Sequence, residues 1–164
     1  MNADAFRQFY DYHFNANRMI WNLYIAALSD QQFAEETGYS HGSIRNQVVH
    51  LMSVDDSWFC ELRGEIPEPF DPAQFEKRDA LRAHWDAVEQ SMRDYLAELR
   101  DDMLFTKPIV LEEDKDLIVW QVLLHVVNHG TDHRAQILRL LSDMGFDKGW
   151  PQDFMFYVYD HLES

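Results

Sequence analysis

"LLHVVNHGTDHRAQIL", residues 123–138, is the stretch from which the rest of the chain is best read. His125, His129 and His133 stand four residues apart in an otherwise apolar run. That interval is about one helical turn, so the three imidazoles lie along one side of a helix. On a wheel of about 100° per residue, Val119, Val122, Val126, Ile137, Leu140 and Met144 share one direction. His133 falls within roughly 15° of that centre, His129 within about 55°, and His125 about 90° away. The spacing therefore predicts a long amphipathic helix from about Leu117 to Met144, stopped by Gly145, with His129 and His133 turned inward and His125 at its flank.

Working outward, the same period recurs. Phe6, Phe9, Tyr10, His13, Asn17, Ile20, Tyr24 and Leu28 follow three- and four-residue spacings, predicting a first helix over Ala3–Leu28 with a possible new cap at Ser29. Ser40 or Ser43 can cap a second helix running to Leu62. The prolines of RGEIPEPFDP exclude regular helix, and Pro72 suits the first turn of a third helix ending near Arg100. DMLFTKPIVLEEDKDLIV, residues 102–119, reads as a short hairpin or an extended crossover. Pro151 can open a short C-terminal helix, PQDFMFYVYDHL. Four long amphipathic helices with a short fifth predict an all-α, four-helix-bundle domain over residues 1–164.

Fourteen basic residues against twenty-nine acidic ones leave a net charge of -15. Such a surface repels phosphate backbones and anionic membranes, so neither nucleic acid nor a membrane is an expected partner. The opening residues lack a basic segment followed by an apolar one, which makes the cytoplasm the expected compartment. Cys60 is the only cysteine, which rules out an intramolecular disulfide, and Glu61 beside it would oppose a thiolate.

Two histidines at i, i+4 can share one metal ion, and a third ligand must then come from another helix. His50 lies about 100° from the centre of the stripe formed by Ile44, Val48, Leu51, Val54, Trp58 and Leu62, a position that allows a reach across to a facing helix without favouring it. The competing reading is three hydrogen-bonded histidines and no metal. His13, His41, His84 and His161 are scattered and read as surface or flank positions. Trp58 and Trp21 are candidate walls of a substrate pocket, and also ordinary core aromatics. Tyr12, Asn15 and Asn17 are weaker candidates. Gln136, Asp55 and Asp56 are candidates to hold the ligating imidazoles from behind.

Three stretches carry a resemblance. "VLLHVVNHGTDHRAQI" is similar to the signature helix of the DinB/YfiT-like metalloprotein family, which usually ends HRGQ. "NQVVHLMSVDDSWF" resembles that family's second-helix motif, and "YHFNANRMIWNLYIAALSDQQF" resembles its opening helix. Carried over by position, the resemblance implies that His50, His129 and His133 are the metal ligands. It further implies an up-down-down-up four-helix bundle, often a homodimer, binding a divalent ion such as zinc or nickel. Relatives in the wider superfamily use a low-molecular-weight thiol in transfer or isomerisation, and others are suspected hydrolases. The implied activity is a metal-dependent thiol S-transferase acting on a small molecule. The alternatives are a metal-dependent hydrolase and a non-catalytic metal-binding stress protein. Two positions depart from the pattern: Ala135 replaces the usual Gly, with a methyl that narrows the space behind the site, and Asp132 stands where many members have a histidine.

Overall fold

The computed structural model describes residues 1–68, 70–146 and 152–162, and every regular element among them is helical. In chain order these are α1 (Ala3–Leu23), α2 (Asp30–Ala34), α3 (Ile44–Leu62), α4 (Arg78–Glu98), α5 (Val119–Asp143) and α6 (Phe154–Leu162). Helices α1 and α3 each pack against both α4 and α5, so α1 and α3 face one another across a shared interior. No described helix is long and apolar enough to cross a membrane.

The start signals act as their chemistry demands. Asn2 caps α1 by accepting from the Ala5 N–H at 2.9 Å. Ser43 rather than Ser40 caps α3, accepting from the Asn46 N–H at 3.1 Å. Ser40 instead lies in the preceding turn with a left-handed φ of 50°. Ser29 and Gln32 form a reciprocal capping box that opens α2. The expected single run to Leu28 is thus broken: α1 stops at Leu23, and a 3-10 turn over Ile25–Ala27 follows. Ile118, before α5, has no side-chain acceptor, and Gln121 Oε1 takes up its N–H at 3.1 Å. Gly145, at φ 88°, ends that helix as expected.

Two expectations need correction. Pro72 opens only a 3-10 turn, Pro72–Gln74, and α4 begins at Arg78, after buried Phe75 has turned the chain into the core. Of the two alternatives for residues 102–119, the hairpin is absent, with no strand formed, and a crossover is present. These residues make a 3-10 turn at Met103–Phe105 and an irregular crossover pinned by buried Leu104 and Ile109. A hairpin needs two strands with complementary apolar faces, and here the acidic turn offers none. The proposed opening of the last helix at Pro151 lies outside the described residues, while the helix itself is present at Phe154–Leu162.

Apolar burial supplies most of the cohesion, from Phe6, Tyr10, Phe14 and Ile20 on α1 to Val122, Val126, Ile137 and Leu140 on α5. The outer seam between α1 and α4 is ionic: Arg93 pairs with Glu89 at 2.8 Å and with Asp11 at 3.0 Å. Across the centre runs a polar layer. His13 Nε2 lies 3.2 Å from Asp55 Oδ2, Asn17 Nδ2 lies 3.2 Å from the same nitrogen, and Arg134 Nη1 donates to Asn17 Oδ1 at 2.8 Å. All four side chains are buried, which contradicts the surface reading of His13 and makes Asn17 a core residue. Arg134 is satisfied by Asn17, Gln152 and Thr131, as a buried guanidinium must be. Asp55, by contrast, is held by His13 through Oδ2 only, and its Oδ1 has no partner among the described residues.

Candidate metal centre

Helices α3 and α5 bring the predicted histidines together. His50 Nε2 stands 3.2 Å from His129 Nε2. The His133 ring centre lies 4.2 Å from that of His129 and 4.5 Å from that of His50. A tetrahedral ion with imidazole nitrogens at about 2.0–2.1 Å separates its ligand atoms by about 3.3 Å, so the His50–His129 spacing matches what such an ion requires. His133 is buried, His129 and His50 are half-buried, and His125 is exposed. The ordering from the helical wheel therefore holds for α5.

The chemistry of this set suits a cation. Burial first, and then the neighbouring imidazoles, push His129 down to about 3; burial and then His41 and His133 push His50 down to about 4. His133 is also lowered, by burial and then by His41, with Asp132 opposing. All three therefore present neutral nitrogens near pH 7, the form that ligates. His129 Nδ1 is buried with no hydrogen-bond partner among the described residues.

His133 is fixed from behind by an amide chain. His133 Nδ1 lies 3.1 Å from Gln47 Oε1, Gln47 Nε2 donates to Gln136 Oε1 at 3.2 Å, and Gln136 Nε2 donates to Asp132 Oδ2 at 2.9 Å. An amide oxygen can only accept, so the proton must sit on Nδ1, and Nε2 keeps its lone pair for the site. Asp132 thus anchors the far end of the chain. Of the residues proposed to sit behind the ligands, Gln136 does so through Gln47. Asp55 is committed to His13, and Asp56 has its pKa raised by burial. Ala135 is exposed, so its methyl points to solvent and does not narrow the site.

Sequence reasoning missed Gln47 and His41. Gln47 is fully buried, and a signal was present: it interrupts the apolar stripe between Ile44 and Leu51 at helical spacing. For His41 there was none, since it stands in a turn. Yet one ligand atom each of His41, His50 and His133 lie within 4.8 Å of one another, close enough to share a metal ion, and the His41 ring stacks on His50 at 3.9 Å. His84 packs on Phe70 and Phe75, away from this group, and His161 is exposed.

Trp58 and Trp21 separate. Trp58 meets His125 edge-on at 5.5 Å, and with Leu117, Gln121, Val122 and His125 it lines a cavity of about 200 Å³. The His125 ring in turn lies 5.7 Å from that of His129. Trp21 is buried in the core, packed on Trp85 at 6.1 Å with the Arg82 guanidinium over its ring. Tyr12 is buried and donates to Gln152 O at 2.6 Å. The Cys60 thiol is pushed up, by burial first and then by Glu65 and Asp56, as expected of an unreactive cysteine.

Comparison with known proteins agrees with this architecture. The family model described as "DinB family" matches residues 1–159. Protein DinB of Bacillus subtilis (strain 168) is 25% identical over 174 residues, covering 97% of this chain and 96% of that protein. The crystal structure of a DinB family member from Shewanella denitrificans superposes with a TM-score of 0.55 at 12% identity, over 92% of this chain and 85% of the other.

Proposed function

The chain belongs to the DinB family, and on that premise we propose that it binds one divalent ion, zinc or nickel, through His50, His129 and His133, and serves as a thiol S-transferase toward a small electrophile. The carrying observation is the 3.2 Å approach of two imidazole nitrogens that burial keeps neutral. Without a cation, two lone pairs aimed at each other repel unless one nitrogen is protonated. An ion held there by three neutral ligands keeps its full charge and can acidify a bound thiol or water. The protein's own part is positional. Gln47 holds the His133 tautomer, the helices α3 and α5 fix ring spacing, and Trp58 with His125 frames an apolar recess next to His129. A recess of about 200 Å³ has room for a small substrate, which supports this reading.

The test is the visible spectrum of the cobalt-substituted protein on addition of small thiols. Transfer chemistry predicts new sulfur-to-metal charge-transfer bands. A spectrum unmoved by a broad panel of thiols would remove S-transfer and leave hydrolysis as the reading to pursue.

A further inference from the structure

The three proposed ligands sit on helices, whereas His41 sits on a short loop and still reaches the same group. Residues 35–43 are tightly built. The Thr37 N–H donates to Gly42 O at 2.8 Å, the Gly42 N–H to Tyr39 O at 3.0 Å, and Asn46 Nδ2 to His41 O at 3.1 Å. Gly42 is needed at φ 89°, where an added Cβ would also fall 2.1 Å from Glu36 Oε2. Ser40 Oγ is hydrogen-bonded to Gln136, the middle member of the amide chain behind His133. The loop is therefore fastened to the same machinery that orients a ligand.

We infer that His41 is a fourth, displaceable ligand of the metal centre, closing the site at rest and giving way to an incoming substrate donor; this rests on the metal-binding reading above. Its ligand atom and those of His50 and His133 already lie within 4.8 Å of one another. Its ring, though, is nearly parallel to that of His50, at 3.9 Å and 23°. Ring lone pairs lie in the ring plane, so two stacked imidazoles aim them side by side and not at one point. His41 must tilt off His50 to ligate, and tilting costs it the stacking contact. Of the other three, His50 and His129 already bring their nitrogens to 3.2 Å, and Gln47 holds His133. The ligand atoms that lie within 4.8 Å of one another are those of His41, His50 and His133, so His129 and His133 must also draw together around an ion. His41 is also exposed, so solvent and small donors compete for its place. Four protein ligands close a tetrahedral site, and three leave a position open. A ligand that moves between the two serves as a guard on the metal.

The experiment compares cobalt-loaded wild-type protein with His41→Ala and His50→Ala, reading cobalt affinity, the visible d–d spectrum and the affinity for added azide. His41 is exposed, so its replacement leaves the core intact, and circular dichroism of the metal-free variants verifies this. We expect His41→Ala to keep one cobalt per chain at about tenfold weaker affinity, a loss of the size that supporting changes around a metal cause. Its spectrum should shift, azide should bind about tenfold more tightly, and free imidazole should restore the wild-type bands. An unchanged spectrum with unchanged azide affinity overturns the fourth ligand while leaving the three-histidine site standing. Complete loss of cobalt, as expected for His50→Ala, overturns displaceability. Failure of the wild-type protein to take up cobalt overturns the metal reading itself, and this proposal with it.

Discussion

Gly130, in the middle of α5, ought by helix propensity alone to be better as alanine, by about 1 kcal/mol. The structure predicts the opposite. A Cβ built at Gly130 falls 2.4 Å from His13 Cε1, 2.7 Å from His13 Nδ1 and 2.9 Å from Arg134 Nη1. None of these atoms can retreat cheaply. His13 and Arg134 are both fully buried; His13 is held by Asp55 and Asn17, and Arg134 by Asn17 and Gln152. Overpacking a filled interior costs about 1–3 kcal/mol. Dislodging one buried hydrogen bond costs about 1–3 kcal/mol more. Set against the propensity gain, Gly130→Ala should destabilise by about 3 kcal/mol. For a chain of this length that corresponds to a fall in melting temperature of about 6–12 °C. The assay is thermal unfolding of metal-free protein followed by circular dichroism. Ala135→Gly serves as the control, because Ala135 is exposed on the same helix and should cost about 1 kcal/mol from propensity alone. A Gly130→Ala variant that melts at or above the wild-type temperature would refute the claim that His13 and Arg134 are locked against this glycine.

Gln47→Leu cuts the chain from Asp132 to His133 while keeping the side chain's bulk. Metal affinity should fall by about 10- to 100-fold with stoichiometry unchanged, measured by competition with a chelating dye; equal affinity would show that Gln47 does not orient His133. His129 titrates near 6.5 when unfolded but near 3 when folded, so the unfolded chain binds the extra proton in between. The stability tied to neutral His129 is therefore full above pH 6.5 and is lost as pH falls toward 3. Urea unfolding of metal-free wild type and His129→Gln at pH 7.5 and pH 5 should show the wild type losing more stability on acidification, and equal losses would contradict the burial argument.

The helices were legible because apolar periodicity and capping residues are local. Ser29, Ser43 and Gly145 each act where a cap or stop was expected, and the wheel ranked His133, His129 and His125 in their observed order of burial. Long-range pairings were not legible. His13 lies on the apolar stripe of α1 with Asn17 one turn on, a local sign of burial that sequence reasoning missed. Its partners Asp55 and Arg134, however, are 42 and 121 residues away and could not be read from local sequence. His41 reaches His50 only because a loop folds back on itself, and a turn has no period from which its direction can be read. Trp21 and Trp58 carry the same residue type in similar apolar runs; only the packing of α4 against α1 puts Trp21 in the core and leaves Trp58 beside His125.

The central claim is that His50, His129 and His133 hold a metal ion. Elemental analysis of untagged protein, purified without chelators or a nickel resin, tests it most directly, with His129→Ala and His125→Ala alongside. The account predicts about one divalent ion per chain for the wild type and for His125→Ala, and none for His129→Ala. A wild-type chain that carries no metal and takes none up on reconstitution would contradict it, leaving these histidines as hydrogen-bonded polar residues at the edge of the core.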